Sequence, residues 1–182
     1  MAIRKIAQMG HPVLRRRAEE VPPVEIPSPR VQALIDDMIE TMRDADGAGI
    51  AAPQVHESVR ICVIEVGDNP RYPDFPEVPL LILVNPVIRA LSAPEETITL
   101  MEGCLSVAGI RGRVTRPRKV HVTALDRNGS PLDFIWEGVP AAVVQHETDH
   151  LDGILYVDRA EPGTLAFLTE LQRAARAAEK DD

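Results

Sequence analysis

The sequence predicts an α+β fold on three observations. A helical pattern opens the regular part of the chain, a strand-rich stretch fills its middle, and two further helical patterns close it. That order is not the strand–helix alternation that builds parallel βαβ units. A length of 182 residues suits one domain over residues 1–182, since domains of roughly 100–200 residues are typical. Apolar residues make up 45% and aromatic residues only 3%, so aliphatic side chains must fill the core.

The elements follow in order. Residues 1–27 are rich in proline and charge, with His11-Pro12-Val13-Leu14 and Pro22-Pro23, and read as an extended arm wrapped on the domain. The first helix is expected over 29–45. Ser28 can cap it, Pro29 suits its first position, and Val31, Leu34, Ile35, Met38, Ile39 and Met42 share one face. Gly47 lies where a left-handed stop is expected, and residues 47–54 read as a turn. Strands are expected at 59–66, 80–84, 87–91 and 97–102. Four prolines in 68–79 point to a surface loop. Residues 119–125 and 131–136 form a hairpin around Asp126-Arg127-Asn128-Gly129, in which Asn-Gly is the favoured turn pair. The second helix is expected over 140–152 with Gly153 just past its end. The third, over 164–180, is amphipathic through Leu165, Leu168, Leu171 and Ala175.

A formal net charge of −8 argues against a protein whose main task is gripping phosphate backbones, though a local basic patch stays compatible with it. No stretch approaches the ~20 apolar residues of a membrane span, and the first residues lack the apolar run of an export signal. The cytoplasm is the expected compartment. Cys62 and Cys104 are therefore expected as free thiols or a metal ligand rather than a disulfide.

The strongest chemical signal is His146-Glu147-Thr148-Asp149-His150. On a helix, His146 and His150 share a face and can reach one cation, and Glu147 beside them can serve a bound water. The apolar residues 139–144 would bury this helix, and a buried pair of histidines with a carboxylate needs a compensating charge. A catalytic site of this kind has three protein ligands and one open position. One zinc-protease class would place the third histidine where Tyr156 stands. Cys104, in Glu102-Gly103-Cys104-Leu105-Ser106, is the better candidate, as a soft ligand at a strand end beside a glycine. Cys62, inside an apolar strand, reads as an inert core thiol. Glu102 and Arg116 form an expected pair steadying the cysteine turn.

Three motifs thus stand in order: Gly47-Ala48-Gly49-Ile50-Ala51-Ala52-Pro53-Gln54, then Glu102-Gly103-Cys104-Leu105-Ser106, then Gln145-His146-Glu147-Thr148-Asp149-His150. Together they closely resemble the signature motifs of peptide deformylases, and the likeness spans nearly the whole chain. The resemblance implies mixed or antiparallel sheets around a central metal-binding helix. It implies that Cys104, His146 and His150 bind the metal and that Glu147 is the general acid/base. Gln54 and the Leu105 N–H would hold the developing oxyanion, and Gly49, Ala48 and Arg111 would contact the peptide. The implied substrates are N-formylated nascent peptides, with transient ribosome association and no nucleic-acid readout or membrane partner. The implied cofactor is one divalent ion, Fe2+ first, with Zn2+ or Ni2+ also suited to two nitrogens and a sulfur. Two departures stand out. Ala48 replaces a usually larger aliphatic residue, and Val107-Ala108-Gly109-Ile110 lacks a common proline before Arg111. The rival readings are a zincin-type metallopeptidase or other amidohydrolase, which leaves Cys104 and Gln54 without work, and a binding module with a degenerate metal site.

Overall fold

The computed structural model describes residues 2–67 and 76–178. Helix α1 spans Pro29–Asp44, and Ser28 Oγ accepts from the Val31 N–H as expected of a cap. Its six apolar stripe residues are all buried. The left-handed residue that ends it is Asp46 (φ 49°), not Gly47. Gly47 instead sits close against the cysteine motif, where a Cβ would lie 3.0 Å from Leu105 Cδ1.

Residues 47–54 are more than a turn. They contain strand β1 (Gly49–Ala51) and a 3-10 turn over Ala52–Val55. Strand β2 follows at Ile61–Val66. The two strands expected at 80–84 and 87–91 are one, β3 (Val78–Ala90), bent by a bulge between Val84 and Val87. Asn85 (φ 52°) makes the bend, and its carboxamide bonds both the N–H and the C=O of Val21 at 2.9 Å. Pro79 lies within β3 rather than in a loop, and the 68–75 part of the expected loop lies outside the described residues.

Strand β4 covers Thr97–Cys104 and runs into β5 (Val107–Pro117), which the sequence reading did not anticipate. The hairpin of β6 (Lys119–Leu125) and β7 (Pro131–Glu137) forms as expected. Its turn has one left-handed residue, Gly129 (φ 82°), behind a turn closed from the Gly129 N–H to the Asp126 C=O. Helix α2 is Val139–Leu151, and Gly153 (φ 75°) stops it as expected. Helix α3, Leu168–Ala178, starts later than expected because Ala166–Phe167 form strand β8 against β5, and the 179–180 part of the expected helix lies outside the described residues.

The larger sheet has order β1-β2-β3-β6-β7 and the smaller β4-β5-β8. Among the described residues every strand pair is antiparallel, which bears out the antiparallel side of the expectation, and the one parallel contact is an isolated bridge from Glu19 to Val59. Strand β2 is buried on both faces over Ile61 to Ile64, which explains the apolar run there. Ile61 and Val63 pack with α1, whereas Cys62 and Ile64 pack with Ala141, Val144 and Leu151 of α2. Helix α2 also meets β5 of the smaller sheet and so runs between the two sheets. A third cluster, with Leu14, Cys104, Val114, Leu155 and Tyr156, backs the smaller sheet. Among the described residues no helix is long and apolar enough to cross a membrane.

Candidate metal centre

Helix α2 sets His146 and His150 one turn apart on one face, with ring centroids 5.1 Å apart. Cys104 arrives from the end of β4, its Sγ 3.2 Å from His150 Nε2. One donor atom from each of the three residues lies within 4.8 Å of the others. Cys62, by contrast, lies fully buried in β2, and burial raises its thiol well above the usual range.

Electrostatics around the trio favour a cation. Burial opposes a Cys104 thiolate, yet His150 and His146 outweigh it and bring the thiol well below its usual range. Burial likewise opposes a charged His146, but Cys104 and Glu102 hold its pKa well above the ordinary imidazole value. A thiolate and two imidazoles sharing protons in this way form a donor set that a divalent ion takes over by displacing those protons. Cys104, His146 and His150 are the metal site. Glu102 accepts from His146 Nδ1 at 2.9 Å, which leaves Nε2 as the coordinating atom. Despite its burial, Arg116 and His146 hold the Glu102 carboxyl down at about 2.

The support behind the ligands is a chain of ion pairs. Arg116, 3% exposed, bonds Glu102 through two nitrogens at 2.6 and 2.9 Å. Its third nitrogen donates to Asp149 at 2.8 Å. Arg159 grips the same Asp149 through two bonds of 2.7 Å. The Glu102–Arg116 pair was legible in the sequence, but Asp149 and Arg159 were missed. The available signal was Asp149 itself, a charged residue in a helix otherwise destined for burial. Tyr156 was also missed. Its ring stacks on His146 at 6.1 Å, and its hydroxyl donates to the Ile110 carbonyl at 3.0 Å.

Glu147 is 4% exposed and projects against Gly49, where a Cβ would fall 2.4 Å from its Oε1. Burial lifts its carboxyl to about 7 against the opposing pull of His146 and His150. Glu147 Oε2 and His150 Nδ1 are buried without a hydrogen-bond partner among the described residues, and Glu147 lines the cleft where an incoming ligand would satisfy it. Gln54 is buried and fixed at both ends. Its Oε1 accepts from the Ala51 N–H at 2.8 Å. Its Nε2 donates to Cys104 Sγ at 3.4 Å and to Ser106 Oγ at 3.1 Å. Ser106, fully buried, was not among the expected site residues.

A cavity of about 60 Å³ opens over Cys104, His146, Glu147 and Gln54. Gly47, Ala48 and Gly49 form one wall, Leu100 to Leu105 the other, and Ala142, Val143, His146 and Glu147 line α2's side. Val143 and Leu100 were missed by the sequence reading, although Val143 precedes His146 by one helical turn. Arg111 lies outside this lining. It packs behind the wall, its guanidinium so close to Gly103 that a Cβ there would meet Nη1 at 1.3 Å.

A family model described as polypeptide deformylase matches residues 3–165. The peptide deformylase of Leptospira biflexa is 49% identical over 160 residues, covering 87% of this chain and 88% of the relative. Peptide deformylase 2 of Ralstonia nicotianae is 44% identical over 169 residues, with 93% of each chain covered. The crystal structure of a class I type b peptide deformylase from Acinetobacter baumannii with Met-Ala-Ser bound superposes with a TM-score of 0.81. It is 40% identical and covers 87% of this chain and 100% of that one. A thiolate, two helical imidazoles and a buried glutamate meet in a chain that matches these proteins nearly end to end, and the chain belongs to the peptide deformylase family.

Proposed function

We infer that the chain removes the N-formyl group from the starting methionine of nascent polypeptides and releases formate, with residues 1–182 acting as one catalytic domain. The observation that carries the reading is the convergence of Cys104 on His150 with Gln54 Nε2 aimed at the same sulfur. A zincin-type peptidase gives neither residue a task.

The cleft runs between two sheet edges. Strand β1 is an edge of the larger sheet and β4 an edge of the smaller. An extended peptide can add to such edges through its backbone, with Gly49 as its partner on β1. The first side chain then enters the apolar end lined by Ala48, Leu100 and Val143. Ala48 leaves that end wider than a larger aliphatic residue would. Arg111 acts on the peptide from behind, by holding the β4 backbone at Gly103.

When bound, a divalent cation supplies Lewis acidity and makes water a competent nucleophile near neutral pH. Glu147 takes the proton that water gives up as its oxygen bonds the formyl carbon. A carboxyl poised at about 7 suits a group that must accept and then return a proton. The Gln54 carboxamide and the Leu105 N–H donate to the oxygen that gains negative charge. Gln54 is held by Ala51 and Ser106 before any substrate arrives, and such a preorganised donor is worth about 3 kcal/mol in the transition state. Glu147 then protonates the nitrogen as the C–N bond breaks, leaving formate and a free N-terminus.

We assign Fe2+ as the native ion, with Zn2+ or Ni2+ as substitutes that the same donors accept. The enzyme works in the cytoplasm, in transient contact with ribosomes from which formylated chains emerge, and without reading nucleic acid or binding a membrane. Anaerobic metal analysis coupled to formate release from a short N-formyl-methionyl peptide tests this assignment. The expected result is one ion per chain, turnover of the formyl but not the acetyl peptide, and metal retention with near-complete loss of turnover in Glu147→Ala. Wild-type turnover in that variant would remove Glu147 as the base, and equal activity after aerobic purification would remove iron.

A further inference from the structure

A second, larger cavity of about 500 Å³ opens on the other side of α2. The helix turns Gln145, Thr148 and Asp149 toward it, whereas His146 and Glu147 face the metal cleft. Arg17, Arg60, Arg116 and Arg159 line it against Asp149 and Asp152. Glu102, which reaches Arg116 from the metal side, adds a third carboxylate. Positive charge still exceeds negative here, in a chain whose formal net charge is −8.

The two inner arginines are committed. Arg116 is held by Glu102 and Asp149. Arg60 is held by Asp152 and by the carbonyls of Leu151 and Pro86. The two outer arginines keep donors in reserve. The Arg17 side chain is 78% exposed, and its one ion-pair contact among the described residues is Asp152 at 3.7 Å. The Arg159 side chain is 44% exposed and spends Nε and one terminal nitrogen on Asp149, leaving the other. Beside them Pro86, Ile88 and the 64%-exposed Val87 make an apolar shelf at the β3 bulge.

We propose that this cavity is a binding site for a phosphate-class oxyanion, either inorganic phosphate or a phosphate monoester whose small apolar body rests on Val87 and Pro86, with Arg17 and Arg159 as its ligands. Guanidinium forks match the oxygens of such an anion, and a doubly charged group with three free oxygens can serve two forks at once. The site is wired to the reaction centre. Arg159 holds Asp149, Asp149 holds Arg116, and Arg116 holds Glu102 beneath His146. An anion that draws on Arg159 competes with Asp149 and alters the support of a metal ligand.

The test is an NMR titration of zinc-loaded protein, which is diamagnetic, following methyl signals while inorganic phosphate, phenyl phosphate, acetate or sodium chloride is added at matched ionic strength. Saturable shifts of the Val87 and Ile88 methyls are expected with both phosphates and not with chloride or acetate. The tighter of the two phosphates identifies the source. In Arg17→Glu, an exposed change whose intact fold is checked by unaltered methyl signals of the α1 core, the affinity of this site should fall at least tenfold. Shifts confined to Leu100 and Val143 in the metal cleft would overturn the proposal. So would equal affinity in Arg17→Glu or an equal response to chloride.

Discussion

At Gly49 a methyl group would press on Glu147 Oε1 from 2.4 Å, so the absence of a side chain is what lets the glutamate lie buried beside the metal ligands. Each residue was legible in its own motif, but their contact was not, because it joins β1 to α2 across a hundred residues of intervening chain. The contact has a cost that can be measured. With its pKa raised to about 7 from 4.5, Glu147 stays protonated in the folded state at pH values where the unfolded chain has already released the proton. The folded state then binds more protons, so stability falls as pH rises from 4.5 to 7. Each pKa unit is worth about 1.4 kcal/mol, which makes the whole window on the order of 3 kcal/mol. Glu147→Gln removes the ionisation. In the metal-free protein it should match wild type near pH 4.5, gain stability progressively up to pH 7, and hold that gain above it. Urea unfolding at a series of pH values measures this, and a gain independent of pH would contradict the assignment.

At the scale of elements, α2 is held by β5 as much as by its own pattern. Arg116 of β5 is the link between Glu102 on β4 and Asp149 on α2. Strand β5 escaped the sequence reading for the same reason that it matters. From Gly112 to Arg116 its buried positions are Gly112, Val114 and Arg116. One is a glycine and one a cation, so an alternation of apolar and polar residues never appears. The β3 bulge hid in a similar way, because Asn85-Pro86 looks like a break until the Asn85 carboxamide is seen bonded to Val21. The helices were easier, since their stripes and stops are local: all six stripe residues of α1 are buried, and Gly153 ends α2. The β5 link predicts a metal phenotype. Glu102→Gln keeps an acceptor for His146 Nδ1 but removes the charge that holds Arg116. Loss of such support behind a ligand lowers metal affinity by ~10–100-fold. Competition with a chromogenic chelator should show that loss for Zn2+, and an unchanged affinity would mean that the ion-pair chain carries no strain to the site.

Over the whole molecule, the three motifs are far apart in the chain, and the N-terminal arm ties them together. The Ala7 N–H donates to the Gln54 carbonyl at 2.8 Å and the Met9 N–H to the Ser106 carbonyl at 2.7 Å. Gln8 Nε2 reaches the Leu105 carbonyl at 3.1 Å, and the Ala18 N–H donates to the Leu151 carbonyl at 2.8 Å. One continuous stretch of chain thus bonds the glycine motif, the cysteine motif and Leu151, the residue that follows the histidine motif. The opposite terminus has no such task. Helix α3 has no buried residue, and only Leu168 and Leu171 among its apolar residues are partly covered. It was expected to be amphipathic and is, but its apolar face covers little. The two ends should therefore respond differently to removal. A chain ending at Phe167 keeps β8 and its pairing with Ile110. It should lose no more than about 1 kcal/mol, or roughly 2–4 °C in Tm, with formate release from a short peptide unchanged. A chain starting at His11 loses the bonds to Gln54, Leu105 and Ser106, and with them the alignment of the oxyanion donors. Its kcat should fall well over tenfold even where the metal is retained, because a donor displaced by an ångström is a donor lost. Comparing kcat and bound metal in the two truncated proteins decides the matter: if both ends prove equally dispensable, the arm is packing alone and the site aligns itself without it.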